Sequence, residues 1–262
     1  MAEASDLVAT AIDDGVLTVT INRPEQRNPL NFAVHRALRD VFTKWAENAT
    51  VRAVILTGAG DKAFASGGDL KEFDALRDDE GARGMSDLGR SAFDAIRNFP
   101  VPTIARINGL ALGGGAELSM ACDMRFAAAH ARIGFIQSQL AISTAWGGGV
   151  DVMALLGWSR GLRLLARAEV LDAQEAERIG LIDGVADPDE DFDAAFEAFM
   201  EPICKHPPQV ARALKSLAHT ARMKSNLDRR EKDALETQHL VNVWLHDDHW
   251  QAADAILNRK KK

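Results

Sequence analysis

The chain has 262 residues, of which 47% are hydrophobic and 26% are charged. These values are typical of a folded globular protein and exclude a low-complexity or collagen-like chain. The 31 Lys and Arg residues against 38 Asp and Glu residues give a net charge of −7, which argues against a nucleic-acid-binding surface. A chain of this length can enclose one large core, so we expect one main domain with a small appendage.

The cysteine content and the apolar stretches of the sequence predict an intracellular location. Cys122 and Cys204 are too few for a disulfide framework, and we expect both as reduced thiols. Residues 1–6 lack the basic and apolar regions of a secretory signal. The longest stretch without charge, 133–150, holds polar side chains and four glycines, too polar for a membrane span. We therefore expect a soluble, cytoplasmic protein without membrane contact.

The first hundred residues predict strands and helices in alternation. Two β-prone runs flank Asp13-Asp14-Gly15, which is typical of a hairpin. Asn31 is a suitable N-cap for the helix that follows it. The predicted elements are a hairpin over 7–21, a helix over 31–48, a buried strand over 53–57, a mobile surface segment over 74–90 and a helix over 91–98.

The pattern continues after Pro102. The predicted elements are a strand over 103–107, a helix over 116–121, a strand over 124–128, a helix from Asp172 to Gly180, a strand over 181–185 and helices from 187 onwards. Short strands alternating with helices indicate an α/β core. The helical last third indicates a separate cap or subunit contact.

Two local signatures have structural explanations. Gly157-Trp158-Ser159-Arg160-Gly161 matches the nucleophile motif G-x-S-x-G, which requires a preceding strand. Here the apolar spacing of 152–156 predicts a helix, so a helix–helix turn is the favoured interpretation, with a serine hydrolase using Ser159 as the alternative. His246-Asp247-Asp248-His249 is more typical of a solvated face than of a metal site, and we expect no metal.

Two loops follow predicted strands and are built of small residues: Ala65-Ser66-Gly67-Gly68 and Gly113-Gly114-Gly115. Glycine lets a ligand approach the main chain, and one N–H from each loop would suit a developing oxyanion. Glu117 stands one short turn further on, where it can act as a catalytic carboxylate. On spacing alone, tight packing of the glycines and a surface position for Glu117 explain the pattern equally well.

An ordered set of motifs resembles the enoyl-CoA hydratase/isomerase (crotonase) superfamily over nearly the whole chain. The motifs are Ile21-Asn22-Arg23-Pro24, Asn28-Pro29-Leu30-Asn31, 63–71, 108–118 and Cys122-Asp123. The resemblance implies an α/β crotonase (ClpP-like) fold of repeated ββα units over 1–200 and a helical oligomerisation region over 201–262. It also implies a homotrimer or a dimer of trimers.

The same resemblance implies an acyl-CoA thioester as ligand, with coenzyme A entering as part of the substrate and no separate cofactor. The N–H groups of Gly68 and Gly114 would hold the thioester oxygen as it becomes an enolate, and Glu117 would be the acid/base. The positions that match the CoA-binding set are Arg27, Ala63, Ala65, Gly68, Asp69, Leu70, Lys71 and Gly114.

One position departs from the family pattern. Hydratases of the family use a second glutamate about twenty residues after the first, and that position is Gln137 here. No Asp or Glu occurs from 124 to 150, and an amide cannot exchange a proton near neutral pH. Two-carboxylate hydration and Δ3-Δ2 isomerisation are therefore disfavoured. Dienoyl-CoA isomerisation is disfavoured too, because Ala145 stands where those isomerases have aspartate.

Decarboxylation of a malonyl-type CoA fits an oxyanion hole with one acid, and we predict this reaction. Loss of carbon dioxide forms the enolate directly, and Gln137 would hydrogen-bond the departing carboxylate. The stretch 131–148, with its Trp-Gly-Gly, also resembles the ethylmalonyl-CoA decarboxylase branch. The alternatives are an enoyl-CoA hydratase/isomerase that uses Glu117 alone and a non-catalytic acyl-CoA-binding protein.

Overall fold

The computed structural model describes residues 7–76, 78–223, 247–248 and 251. Ten strands form two sheets: β1 (Val8–Asp13), β2 (Val16–Ile21), β3 (Ala53–Gly58), β4 (Ala63–Ala65), β5 (Thr103–Ile107), β6 (Leu110–Leu112), β7 (Met124–Ala127), β8 (Arg132–Gly134), β9 (Val170–Asp172) and β10 (Gly184–Val185). The described helices are α1 (Phe32–Ala46), α2 (Leu70–Phe73), α3 (Asp79–Arg97), α4 (Gly114–Ala121), α5 (Gly148–Leu156), α6 (Trp158–Arg167), α7 (Ala173–Arg178), α8 (Phe192–Cys204) and α9 (Pro208–Met223).

The ten described strands are divided between a six-stranded sheet and a four-stranded sheet. The larger sheet has the order β1-β2-β3-β5-β7-β10, with only the β1–β2 hairpin antiparallel. The smaller sheet has the order β4-β6-β8-β9, with β4, β6 and β8 parallel. Three successive strand pairs each place their first strand in the larger sheet and their second in the smaller one, which is the predicted ββα repeat.

This arrangement positions the site. Because β4, β6 and β8 are parallel neighbours, their carboxyl ends lie at the same edge of the smaller sheet. The segments that leave these ends are 66–68, 113–114 and 135–137. Three segments far apart in sequence therefore meet at one edge.

Alternation along the strands of the larger sheet builds two apolar layers. On β3, Val54 and Leu56 face the main core, which includes residues of α1 and α3, whereas Ala53 faces the other side. There Ala53 packs in a second cluster with Phe126 and with Phe196 of α8. The two-residue period of a strand explains why one strand serves both layers.

The structure confirms most elements and corrects three. The hairpin, the Asn31 cap, which accepts from Val34 N at 2.9 Å, and the helix–helix turn at Gly157 are as predicted. The segment 74–90 is not a mobile loop throughout, because α3 begins at Asp79. The helix predicted over 91–98 is therefore only its C-terminal part.

Two further predictions are corrected. The strand predicted over 181–185 is confined to Gly184–Val185. The spacing of Asp172 and Glu175 predicts a capping box at the start of α7, but only half of it forms. Asp172 accepts from Glu175 N, whereas the Glu175 carboxylate pairs with Arg178.

The C-terminal helices continue from the core. The boundary predicted at residue 200 falls within α8, whose buried side chains pack on the larger sheet. The division into 1–200 and 201–262 stays a prediction, because residues 224–246 lie outside the described part of the chain. Within the described residues, no helix has the length and apolar character that crossing a bilayer requires.

Candidate active site

Two glycine loops lie side by side at the shared strand ends. Gly67 has a φ of +108° and Gly113 a φ of +54°, a region that favours glycine. Each stands directly before one of the predicted oxyanion residues, Gly68 and Gly114. The loops touch, since a Cβ built on Gly67 would lie 3.5 Å from the Gly114 nitrogen. The backbone turns thus bring the two peptide units preceding Gly68 and Gly114 close together.

Neither of the two amides has an internal acceptor among the described residues. The bridge between Leu30 and Gly68 uses the Gly67 carbonyl and the Asp69 N–H, so the Gly68 N–H takes no part in it. Gly114 is the first residue of α4, where N–H groups have no acceptor within the helix. Both donors are available to a ligand atom.

Glu117 is buried beside these loops rather than exposed on the helix surface. Its side chain is 2% exposed and lies in the first turn of α4. Four N–H groups point at its carboxylate: Trp146 N at 2.9 Å, Gly148 N at 3.1 Å, Gln137 Nε2 at 2.9 Å and Ala145 N at 3.4 Å. Burial raises the pKa of Glu117, and these hydrogen bonds oppose the rise.

Gln137 is 8% exposed and lies in the segment that follows β8. Its Nε2 donates to Glu117, while its Oε1 is buried with no partner among the described residues. The amide N–H that we expected to meet a departing carboxylate is therefore directed at Glu117. The Gln137 atom left without a partner is therefore an acceptor, Oε1.

Trp146 was not among the predicted catalytic or CoA-binding residues, although the family resemblance implies an acyl pocket built partly from residues near it. Its ring lies against both oxyanion glycines, and a Cβ on Gly68 would be 3.4 Å from Trp146 Cη2. It packs against the rings of His35, Phe73 and Phe93, with the His35 centroid at 4.5 Å. Burial lowers the pKa of His35 to about 4, so its ring is neutral at physiological pH. The Trp-Gly-Gly sequence was the only local signal for Trp146.

The residues predicted to bind CoA surround the first loop. Ala63 and Ala65 are buried in β4, while Leu70 and Lys71 are exposed at the start of α2. Asp69 is paired with Arg23 at 3.0 Å, a contact that the sequence did not predict. Exposed Arg27 lines a cavity of about 370 Å³ together with Lys62. Their role toward CoA stays a prediction.

The other sequence signatures are not part of this site. Ser159 is exposed within α6 and follows another helix, so the strand that a nucleophile elbow requires is not there. Of residues 246–249 the structure describes only Asp247 and Asp248, and the predicted solvated face lies mostly outside the described residues. Over the described ranges, no group of three His, Cys, Asp or Glu side chains is arranged to hold a metal.

Two amides without an internal acceptor, close to a buried carboxylate, form the kind of site that can stabilise a developing oxyanion. The family model described as Enoyl-CoA hydratase/isomerase matches residues 11–261. The chain belongs to this family, the crotonase superfamily, whose enzymes act on acyl-CoA thioesters.

Individual relatives agree with this assignment. A short-chain-enoyl-CoA hydratase of Clostridium acetobutylicum is 34% identical over 246 residues, which cover 94% of this chain and 92% of that protein. An ethylmalonyl-CoA decarboxylase of Mus musculus is 31% identical over 232 residues, covering 86% and 70%. An enoyl-CoA hydratase structure from Bacillus anthracis has a TM-score of 0.88 at 31% identity, covering 97% of this chain and 96% of its own. The crotonase fold is confirmed.

Proposed function

We propose that this enzyme adds water to the double bond of a 2-enoyl-CoA thioester, with Glu117 as its only acid/base. The observation that carries the proposal is the arrangement of acceptors. The Glu117 carboxylate is held by four N–H groups, and Gln137 Oε1 beside it has no partner. Gln137 Oε1 suits one proton of a water molecule, and Glu117 Oε1, whose contact with Ala145 N is long at 3.4 Å, suits the other.

The reaction balances with one carboxylate. Glu117 removes a proton from water while the water oxygen bonds to Cβ of the enoyl group. The electron pair of the double bond moves onto the thioester oxygen, where the N–H groups of Gly68 and Gly114 stabilise it. Protonated Glu117 then returns its proton to Cα, which restores the carboxylate and completes the 3-hydroxyacyl-CoA.

Decarboxylation of a malonyl-type CoA is the second candidate. The absence of Asp and Glu from 124 to 150 and the likeness to an ethylmalonyl-CoA decarboxylase favour it. The Cα–carboxylate bond would break, its electron pair would form the enolate, and protonated Glu117 would protonate Cα. Against it, a substrate carboxylate beside Gln137 Oε1 and ionised Glu117 would face acceptors.

A substrate panel distinguishes these reactions. The purified protein is incubated with crotonyl-CoA, methylmalonyl-CoA and ethylmalonyl-CoA, and products are identified by mass. We expect 3-hydroxybutyryl-CoA from the first and intact thioester from the others. Carbon dioxide release from a malonyl thioester would overturn hydration in favour of decarboxylation, and tight binding without any product would indicate a non-catalytic binding protein.

Two variants sharpen the panel. We expect Gln137→Glu to raise hydration further, because it supplies a second carboxylate for proton transfer. Labelling of Ser159 by a fluorophosphonate would contradict the proposal, since hydration requires no serine nucleophile.

The oligomeric state, a homotrimer or a dimer of trimers, stays a prediction, and light scattering tests it. The cytoplasmic location also stays a prediction.

A further inference from the structure

Residues 23–30, which follow the β1–β2 hairpin, support the first oxyanion loop through a short parallel bridge. The Leu30 N–H donates to the Gly67 carbonyl at 2.8 Å, and the Asp69 N–H donates to the Leu30 carbonyl at 3.1 Å. In an extended chain, the polar groups of one residue point to the side opposite to those of its neighbours. The Gly68 N–H, which stands between these two bonds, is therefore directed away from Leu30. The bridge thus sets the direction of one oxyanion donor.

The guanidinium of Arg23 joins the two segments of this bridge. Its Nη1 donates to the Pro29 carbonyl at 2.8 Å, and Nη1 and Nη2 each lie 3.0 Å from Oδ2 of Asp69. Pro29 lies directly before the bridge in one segment and Asp69 directly after it in the other. The Arg23 and Asp69 side chains are 13% and 17% exposed, so this charge-assisted contact is largely shielded from water. Arg23 therefore acts as a clamp across the bridge.

The backbone of Arg23 is itself held in place. Asn28 is 1% exposed, and its Oδ1 accepts from the Arg23 N–H at 2.9 Å. Its Nδ2 donates to the carbonyls of Ala59 and Ala63, at 3.0 and 2.7 Å. Ala59 directly follows β3, and Ala63 begins β4. The clamp is thus anchored to the strand that ends in the first oxyanion loop.

We propose that Arg23 is a positioning residue of the reaction, which keeps the Gly68 N–H aimed at the thioester oxygen. The inference rests on the proposed function, because it takes Gly68 as an oxyanion donor. Arg23 acts on that amide through the backbone of Asp69 and Pro29, to which its side chain is bonded. Without the clamp the donor is still present but less well directed. The interaction that strengthens as the enolate forms is then weaker.

The kinetic test compares wild type with Arg23→Met and Arg23→Lys in the hydration of crotonyl-CoA. Loss of an oxyanion donor lowers kcat by about 10²–10³-fold, so a misdirected donor in Arg23→Met should lower it by roughly 10-fold to 10²-fold. KM should change little, because the donor acts mainly on the enolate. Arg23→Lys should be intermediate, since an ammonium does not reproduce the two-nitrogen fork. Arg39→Met, which removes an exposed pair with Asp40, is the control and should keep the wild-type kcat.

A spectroscopic measurement reports on the amide without turnover. Dimethylaminocinnamoyl-CoA absorbs at longer wavelength when its thioester oxygen accepts hydrogen bonds, because its excited state carries more negative charge on that oxygen. We expect saturating wild-type protein to shift the absorption maximum to the red. Arg23→Met should lose much of this shift, and Arg23→Lys should keep an intermediate one. A purely structural role for Arg23 would lower the folded fraction but leave the shift of the bound probe unchanged.

The two measurements together separate this inference from the proposed function. A wild-type red shift in whichever Arg23 variants fold would overturn the inference, whether or not kcat falls and even if crotonyl-CoA is hydrated. A red shift that the Arg23 variants lose, without hydration by wild type, would support the clamp and contradict the proposed reaction. The absence of any shift with wild type would exclude Gly68 as an oxyanion donor, and the inference with it.

Discussion

Two opposing influences act on the pKa of Glu117. Desolvation disfavours its charge, and four N–H donors favour it. Three of the donors are backbone amides of the segment 145–148, which cannot be lost by substitution of a side chain. The net rise of its pKa makes the Glu117 carboxylate a stronger base than an exposed glutamate and brings it closer to the range that suits proton transfer near neutral pH.

Replacing the acid/base tests this assignment directly. Glu117→Gln should lower kcat for crotonyl-CoA hydration by about 10²–10⁴-fold, because an amide transfers no proton. The dissociation constant for butyryl-CoA, measured by calorimetry, should change little, since the oxyanion amides remain. Glu177→Gln, at an exposed position of α7, is the control and should leave both constants unchanged. Intact turnover in Glu117→Gln would exclude the assigned role.

The hydrogen bond from Gln137 Nε2 to Glu117 predicts the direction in which the pH profile of the reaction shifts when that bond is removed. Gln137 Nε2 stabilises the ionised form of Glu117, so Gln137→Leu should raise the pKa of Glu117 further. Glu117 acts first as a base and must be ionised, so the acidic limb of the kcat profile should move to higher pH. Steady-state rates from pH 4 to 9 provide the measurement. A limb that stays in place or moves to lower pH contradicts the hydrogen bond's proposed effect.

At the scale of elements, α3 fixes the segment that holds Glu117. Arg97, at the end of α3, is 5% exposed and donates to the Trp146 carbonyl at 2.9 Å. It also pairs with Asp94 at 2.8 Å and with Asp151 of α5 at 2.9 Å. The same residue whose N–H binds Glu117 is thus anchored through its carbonyl to a different helix.

Removing this anchor should destabilise the fold. Arg97→Met leaves Asp151 with Arg222 as its one remaining cation within the described ranges, and it removes the Arg97 donor from the Trp146 carbonyl. The free energy of unfolding should therefore fall by about 3 kcal/mol. Urea denaturation followed by fluorescence measures the change. Arg83→Met on the same helix removes an exposed pair with Asp79 and should leave the midpoint nearly unchanged. Equal midpoints for both variants would show that the buried pair contributes nothing.

The sequence predicts a structural feature when the cause of that feature lies in neighbouring residues. The Asn31 cap and the turns before Gly68 and Gly114 follow from neighbouring residues, and they were predicted. The beginning of α3 was missed because its glycines lower helix propensity, whereas Gly89 is small because the indole of Trp146 lies against it. A contact between residues so far apart in sequence cannot be derived from local pattern.

At the scale of the whole molecule, two ion pairs join α9 to the core among the described residues, Arg222–Asp151 and the more buried Lys215–Asp123. Lys215 is 5% exposed, and its Nζ lies 2.5 Å from Asp123, which follows α4. Asp123 also accepts hydrogen bonds from the N–H and Oγ1 of Thr103 on β5. Helix α9 is therefore held in part by a charge that the core has already fixed in place.

Breaking this pair should loosen α9 specifically. Lys215→Met leaves the partly buried Asp123 charge without its cation, which should lower the free energy of unfolding by about 3 kcal/mol. Limited proteolysis followed by mass spectrometry should show faster cleavage within α9. Lys205→Met removes an exposed pair with Glu201 and is the control, with wild-type cleavage expected.

A second substitution shows whether the destabilisation comes from charge or from packing. In the Lys215→Met background, Asp123→Asn removes the unpaired charge and keeps an oxygen that accepts from Thr103. We expect this double variant to be more stable than Lys215→Met alone, because a neutral amide is less costly to bury than an unpaired carboxylate. If Asp123→Asn lowers stability equally in both backgrounds, the two residues are not coupled, and α9 is held by its other contacts, among them the Arg222–Asp151 pair.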